Sequence, residues 1–280
     1  MQRSLPMRNI GVTGFTSVEQ IKTVQDYFVD LFEEHEAAHK KENSEPRLMV
    51  GILISSKTIN GILNKYPARY AKPEALTRLF LEAMAYNTLN LAHYNTDNPE
   101  NLVQECEYVM KVVGPALHGF QLNVRWPEPK LIKELKCHHP ELHILLHIGG
   151  KALSDFALGS KGWFVSYDTQ AFMAKVAQYD GCLDEILLDP SGGTGQPLNA
   201  YQLAPLVREL MTVEGLGINV AGGLSAPSIL LVNDLVPLCP YLGIDAEERL
   251  RNSEDDSLNV GWVKAYLKVA FNLFYPKEKL

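Results

Sequence analysis

Four features are missing from this sequence, and each absence excludes a class of protein. Cysteine is sparse: Cys106, Cys137, Cys182 and Cys239 lie far apart with no C-x-x-C pair, which excludes a zinc ribbon and a disulfide framework. The spacing fits a reduced compartment, and a cytoplasmic location is expected. Long apolar runs are missing too. No window approaches the ~18 uninterrupted apolar residues that a membrane helix needs, and MQRSLPMRNIGV carries no apolar core of a signal peptide. Positive charge is short. The formal net charge of −7 argues against broad binding to nucleic acid or anionic membranes, since little would drive counterion release. It leaves room for a local anion pocket. Lastly, no G-x-G-x-x-G opens a helix, so a dinucleotide fingerprint is missing. No cofactor and no metal site are expected.

What is present is alternation. Short β-rich runs lie at IGVTG (10–14), LMVGILIS (48–55), LNLAHY (89–94), GFQLNV (119–124), HILLHIG (143–149), EILLD (185–189), LGINVAGG (216–223) and YLGIDA (241–246). Helical segments fall between them: 17–42 with Ser17 or Thr16 as cap, 73–86, 99–113, 127–138, 168–179, 199–213, a shorter 225–234, and 257–274. The central strand runs are continuously apolar, as in parallel strands covered by helices. Eight strand–helix repeats in 280 residues with no low-complexity linker predict a single (β/α)8 TIM barrel spanning residues 1–280. The charged tail of the first helix (32–47) and the long connection 149–167 read as insertions. The second follows the fifth strand and reads either as a lid or as a packed surface loop.

In such barrels chemistry sits at the carboxyl ends of the strands. Those positions hold Thr13, Ser55, His93, Asn123, His147, Asp189 and Asp245, with Gly192, Gly193, Gly195, Gly222 and Gly223 in the turns after the sixth and seventh strands. Glycine-rich turns leading into a helix suit phosphate. AGGLSAPS (221–228) has that form, and equally that of a tight turn before a capped helix. Asp189, in LLDPSGGTG, reads either as a working carboxylate or as the first residue of its turn.

Four segments in order, LLDPSGGTGQPLNAYQL, GINVAGGLSAPSI, KYPARYAKPEAL and GVTGFTSVEQI, resemble phosphoribosylanthranilate isomerase, a barrel enzyme of tryptophan biosynthesis. The likeness runs thinly along nearly the whole chain. It implies an Amadori rearrangement of an aminoaldose phosphate. It implies Asp189 as general acid, Arg69 as holder of the substrate carboxylate, Asn123 in place of a family histidine, and Gly222 and Gly223 as the phosphate turn; Gly192 and Gly193, in the glycine turn after Asp189, are further substrate-binding candidates. The family's catalytic cysteine falls on Thr13 and its preceding lysine on Gly11. Its last phosphate loop falls on DAEERLR (245–251), which begins with Asp245 and brings Glu247, Glu248, Arg249 and Arg251. A threonine hydroxyl needs a partner to act as a base, and His147 and His93 are the nearest strand-end candidates. Three readings follow: a relative acting on or binding a different phosphorylated metabolite, the family isomerase with a substitute base, or a non-catalytic paralogue that binds a metabolite or a protein.

Overall fold

The computed structural model describes residues 6–41, 45–85, 87–161 and 164–276. The strands are β1 (Arg8–Thr13), β2 (Pro46–Ser55), β3 (Thr88–Asn95), β4 (Gly119–Leu122), β5 (His143–Gly149), β6 (Ala157–Lys161), β7 (Phe164–Tyr167), β8 (Glu185–Asp189), β9 (Gly217–Val220) and β10 (Gly243–Ala246). Eight of them close into a parallel barrel in the order β1-β10-β9-β8-β5-β4-β3-β2. β6 and β7 form a separate antiparallel hairpin. This is a single (β/α)8 barrel, and all eight barrel strands lie where the sequence predicts them.

Both faces of these strands are buried, which explains the unbroken apolar runs. Outward residues such as Ile144, Leu146, Ile186 and Leu188 join the core shared with the helices. Inward residues build the barrel interior, and the period-2 pleat sorts them into layers. A middle layer of Met49, Leu89, Leu91, Leu145 and Leu187 is apolar. Two residues further towards the carboxyl end stand polar groups, as in Leu91–His93, Leu145–His147 and Leu187–Asp189. Two residues back, Leu145 and Leu187 lead to His143 and Glu185. The barrel therefore has an apolar plug with a polar layer at each end.

The amino-terminal layer is a closed network. The Glu185 carboxylate, on a residue only 2% exposed, accepts from Arg47 and Asn9, and from Asn219 Nδ2 at 2.7 Å. Arg47 Nε also donates to Asn9 Oδ1 at 2.6 Å. His143 Nε2 lies 3.2 Å from Glu185, a contact short of a well-aligned hydrogen bond. Burial alone would favour the neutral acid, but His143, Arg47 and Asn219 outweigh it and hold the carboxyl near 2.

Helix boundaries follow local signals. The first long helix, Val18–Glu34, is capped by Ser17, not Thr16. Ser17 Oγ accepts from Gln20 N at 3.2 Å while Gln20 Oε1 accepts from Ser17 N at 3.1 Å, a capping box. The expected helix over 225–234 is absent: the chain makes only a 3-10 turn, Ile229–Val232. In the 32–47 segment a short helix, Glu36–Lys41, follows His35. The 149–167 segment holds the β6–β7 hairpin. It is tied down by an Arg125–Asp155 ion pair and by Trp126, whose Nε1 donates to Ala152 O at 3.2 Å and whose ring meets Phe156 edge-on. Among the described residues no helix is long and apolar enough to cross a membrane.

Candidate active site

The carboxyl-terminal polar layer opens into an inner chamber of about 170 Å³. His93, Asn123, His147, Asp189, Gly193, Gly222, Gly223, Asp245 and Glu247 are among the residues that line it. A wider vestibule of about 960 Å³ lies outside, between the loops after β9 and β10, with Ser225, Arg249, Arg251 and Trp262 on its wall. Tyr66, Arg69 and Glu248 line both spaces and so form the partition between them. No described residue of 150–167 lines either one, and Gly162 and Trp163 of that segment lie outside the described residues.

Asp189 is 3% exposed and heavily engaged. One oxygen accepts from Ser191 N (3.0 Å) and Ser191 Oγ (2.6 Å), the other from Gly193 N (2.9 Å) and His147 Nε2 (3.3 Å). The alternatives of turn residue and working carboxylate therefore meet in one side chain. Burial raises its pKa, but the bonds from His147, Ser191 and Gly193 prevail and hold it at about 2. Such a group is an anion at neutral pH. It is not a proton donor, which moves Asp189 away from the general-acid role implied by the family likeness. The other ring nitrogen of His147, Nδ1, has no protein partner.

Asp245 has the opposite environment. It is 5% exposed and takes hydrogen bonds from Thr13 Oγ1 (3.1 Å to each oxygen) and Gln121 Nε2 (3.2 Å). Burial, with the charge of Glu247, outweighs those two donors and pushes it up to about 7. Thr13 itself is fully buried and does not line the chamber. Its hydroxyl donates to Asp245, so in this structure it is engaged with that carboxyl and does not face the chamber. Gly11 supports the same arrangement. A Cβ there would lie 2.9 Å from the backbone Ile244 O, and 2.5 Å from Met49 Cε and 2.8 Å from Asp245 Oδ1, so a lysine would force its neighbours to shift.

Arg69 reaches the chamber mouth, as expected, but its guanidinium is already occupied. It holds Asp256 through Nε (2.6 Å) and NH2 (2.9 Å), and Glu248 through NH1 (2.6 Å), with Glu247 3.7 Å away. A substrate carboxylate would have to displace one of these. Asn123 is exposed at the rim of the chamber.

The glycine turns have structural duties. Gly193 N is spent on Asp189, and Gly192 is absent from the lining. Gly222 O accepts from Leu198 N at 3.1 Å. Gly223 has φ +56°, and a Cβ there would meet Gly195 O at 2.6 Å and Gln196 O at 2.9 Å. Gly223→Ala is therefore expected to cost about 2 kcal/mol or more from left-handed backbone strain and the clash, read as a lower urea midpoint. The turn leads into no α-helix, so a helix dipole contributes nothing here. Among the described residues lining the vestibule, Arg69 and Arg251 are paired with acids, whereas Arg249 is exposed, its Nε donating to Gly195 O at 2.9 Å. Sequence reasoning missed Gln121 and Glu185. Their only signal was a polar residue on the inward period of a strand otherwise apolar on both faces.

Fold and site together define a (β/α)8 barrel with a polar, acid-bearing chamber at its carboxyl end. No protein-family model matches the chain, and no curated protein matches it. Solved structures match its fold. The tryptophan synthase alpha subunit of Legionella pneumophila aligns over 96% of this chain and 92% of its own, at 11% identity and a TM-score of 0.57. A putative spore coat polysaccharide biosynthesis protein E from Chromobacterium violaceum aligns over 96% and 74%, at 10% identity and 0.54. The catalytic domain of a Pyrococcus furiosus chitinase aligns over 99% of both chains, at 11% identity and 0.53. At such identities the likeness is one of fold.

Proposed function

We propose that the protein is an isomerase-like enzyme for a phosphorylated sugar or a related small anionic metabolite, a relative of phosphoribosylanthranilate isomerase with a rebuilt proton-transfer set. One observation carries this reading. Two aspartates on one small chamber are shifted in opposite directions from the ordinary aspartate value, Asp189 down to about 2 and Asp245 up to about 7. Environments that push paired carboxyls apart assign acid and base roles. In this scheme Asp189 fixes the His147 ring, and the Nδ1 lone pair takes a proton from a carbon beside a carbonyl or imine. Asp245, protonated below about pH 7, supplies a proton to the neighbouring heteroatom. The pair then exchanges roles to return a proton at the adjacent carbon, which completes a 1,2 shift with no net gain or loss. Arg249 and the Ser225 side of the vestibule suit a phosphate outside the chamber, whereas the acids inside repel one.

The test is a thermal-shift screen of phosphorylated sugars, followed by turnover of any that bind. Asp189→Asn should leave ligand binding within about threefold and lower kcat at least 100-fold, since the ring loses its orienting anion. If no phosphosugar shifts the melting temperature, the proposal falls. Complementation of a strain lacking the tryptophan-pathway isomerase separates strict family activity from a new specificity. The occupied Arg69 leads us to expect no growth.

A further inference from the structure

We infer that His93 is the specificity residue of the inner chamber, recognising an uncharged hydroxyl group of the ligand through its imidazole nitrogens. The inference rests on the chamber being the ligand site proposed above. His93 projects from β3 into the chamber lining and is 5% exposed, yet neither Nδ1 nor Nε2 has a protein partner. Two neighbouring polar atoms share that condition, Nδ1 of His147, whose ring centroid lies 5.5 Å away, and Oε1 of Gln121. Orphaned polar atoms in a core are costly, and a cluster of them at the end of a barrel calls for an explanation.

Chemistry narrows the partner. Burial and the neighbouring His147 push His93 down to about 3, so the ring is neutral and offers one donor and one acceptor. A hydroxyl group matches both, because it donates and accepts through the same atom. A carboxylate or phosphate would satisfy only the donor and would face the Asp189 anion. An ammonium group would satisfy only the acceptor. The unpartnered Nδ1 of His147, which also lines the chamber, suits a second hydroxyl nearby. The ligand class is therefore a polyol chain, with any anionic group directed outward to the vestibule.

The experiment compares ribitol 5-phosphate with pentyl phosphate, equal in chain length but without hydroxyls, by calorimetric titration of the wild type, His93→Leu and His93→Gln. The wild type should prefer the polyol ester at least tenfold, because a site built for hydroxyls is left unpaired by the analogue. His93→Leu should collapse that preference to within threefold, and His93→Gln, which keeps a donor and an acceptor, should restore most of it. Equal wild-type affinities, or a preference that survives in His93→Leu, would overturn the inference while leaving the phosphate reading intact. If neither ester binds, free ribitol decides: binding to the wild type but not to His93→Leu upholds the hydroxyl role and sinks the phosphate reading, and no binding sinks both. His93→Leu should also raise the melting temperature by roughly 2–4 °C, since it removes two orphaned nitrogens. A fall of that size would mark His93 as structural and overturn the assignment.

Discussion

Glu185→Ala is expected to be the most destabilising single substitution described here, costing about 3–5 kcal/mol in urea unfolding. The reason is the company it keeps. Removing the carboxylate leaves Arg47, Asn9 and Asn219 with donors aimed at a hole in the barrel floor, and breaking a buried ionic network from one side costs about that much. Glu185→Gln should cost less, because one oxygen remains to accept. The acid limb of stability follows from the same group. Its pKa is near 2 in the folded chain and in the ordinary glutamate range when unfolded, so the unfolded state binds more protons between those values. The contribution of Glu185 is thus complete above about pH 4.5 and is lost as pH falls towards 2. In the alanine variant this part of the acid limb should vanish. A cost under 1 kcal/mol with an unchanged acid limb would show that the network is not what closes the floor.

Asp245→Asn should act with the opposite sign on stability and abolish function. Here the folded pKa, about 7, lies above the ordinary aspartate value, so the folded state binds the extra proton. Wild-type stability is then full below about pH 4 and declines as pH rises to 7. Asparagine is neutral throughout and keeps an oxygen for Gln121 and an amide for the Thr13 hydroxyl. The variant should match the wild type near pH 3.5 and exceed it by on the order of 4 kcal/mol at pH 8. Its kcat should drop by about 10²–10⁴ if the proton donor is Asp245. Wild-type activity should decline above pH 7 on an alkaline limb that the variant lacks. A variant no more stable at pH 8 than the wild type would mean that Asp245 is ionised in the fold. Together the two carboxyls, one at each end of the same barrel, confine maximal stability to mildly acid pH.

Much of this protein is legible without coordinates. The eight barrel strands stand out as short β-rich runs alternating with helical segments, the central ones almost continuously apolar, and the first helix announces itself through Ser17 and Gln20. His147, Asp189 and Asp245 could be placed at strand ends because a strand's last inward residue is fixed once its boundary is known. The exceptions were local features whose outcome depends on distant atoms. The 225–234 segment carries a helix-like pattern, yet the close approach of Gly223 to Gly195 and Gln196 turns the chain there, and a 3-10 turn follows. Arg69 looks like a free cation in KYPARY until Asp256 and Glu248 arrive from 179 or more residues away.

By itself, then, the sequence determined the barrel, because strand and helix periodicities and their alternation are properties of neighbours along the chain. It also determined which acids and histidines stand at the mouth. Tertiary structure alone decided what those groups do. Asp189 and Asp245 are the same residue type at equivalent strand ends. One is an anion because Ser191, Gly193 and His147 donate to it. The other is pushed up to about 7 because burial beside Glu247 outweighs Thr13 and Gln121. Protonation is set by the field at a point in space, and that field is summed over elements that the linear order keeps far apart.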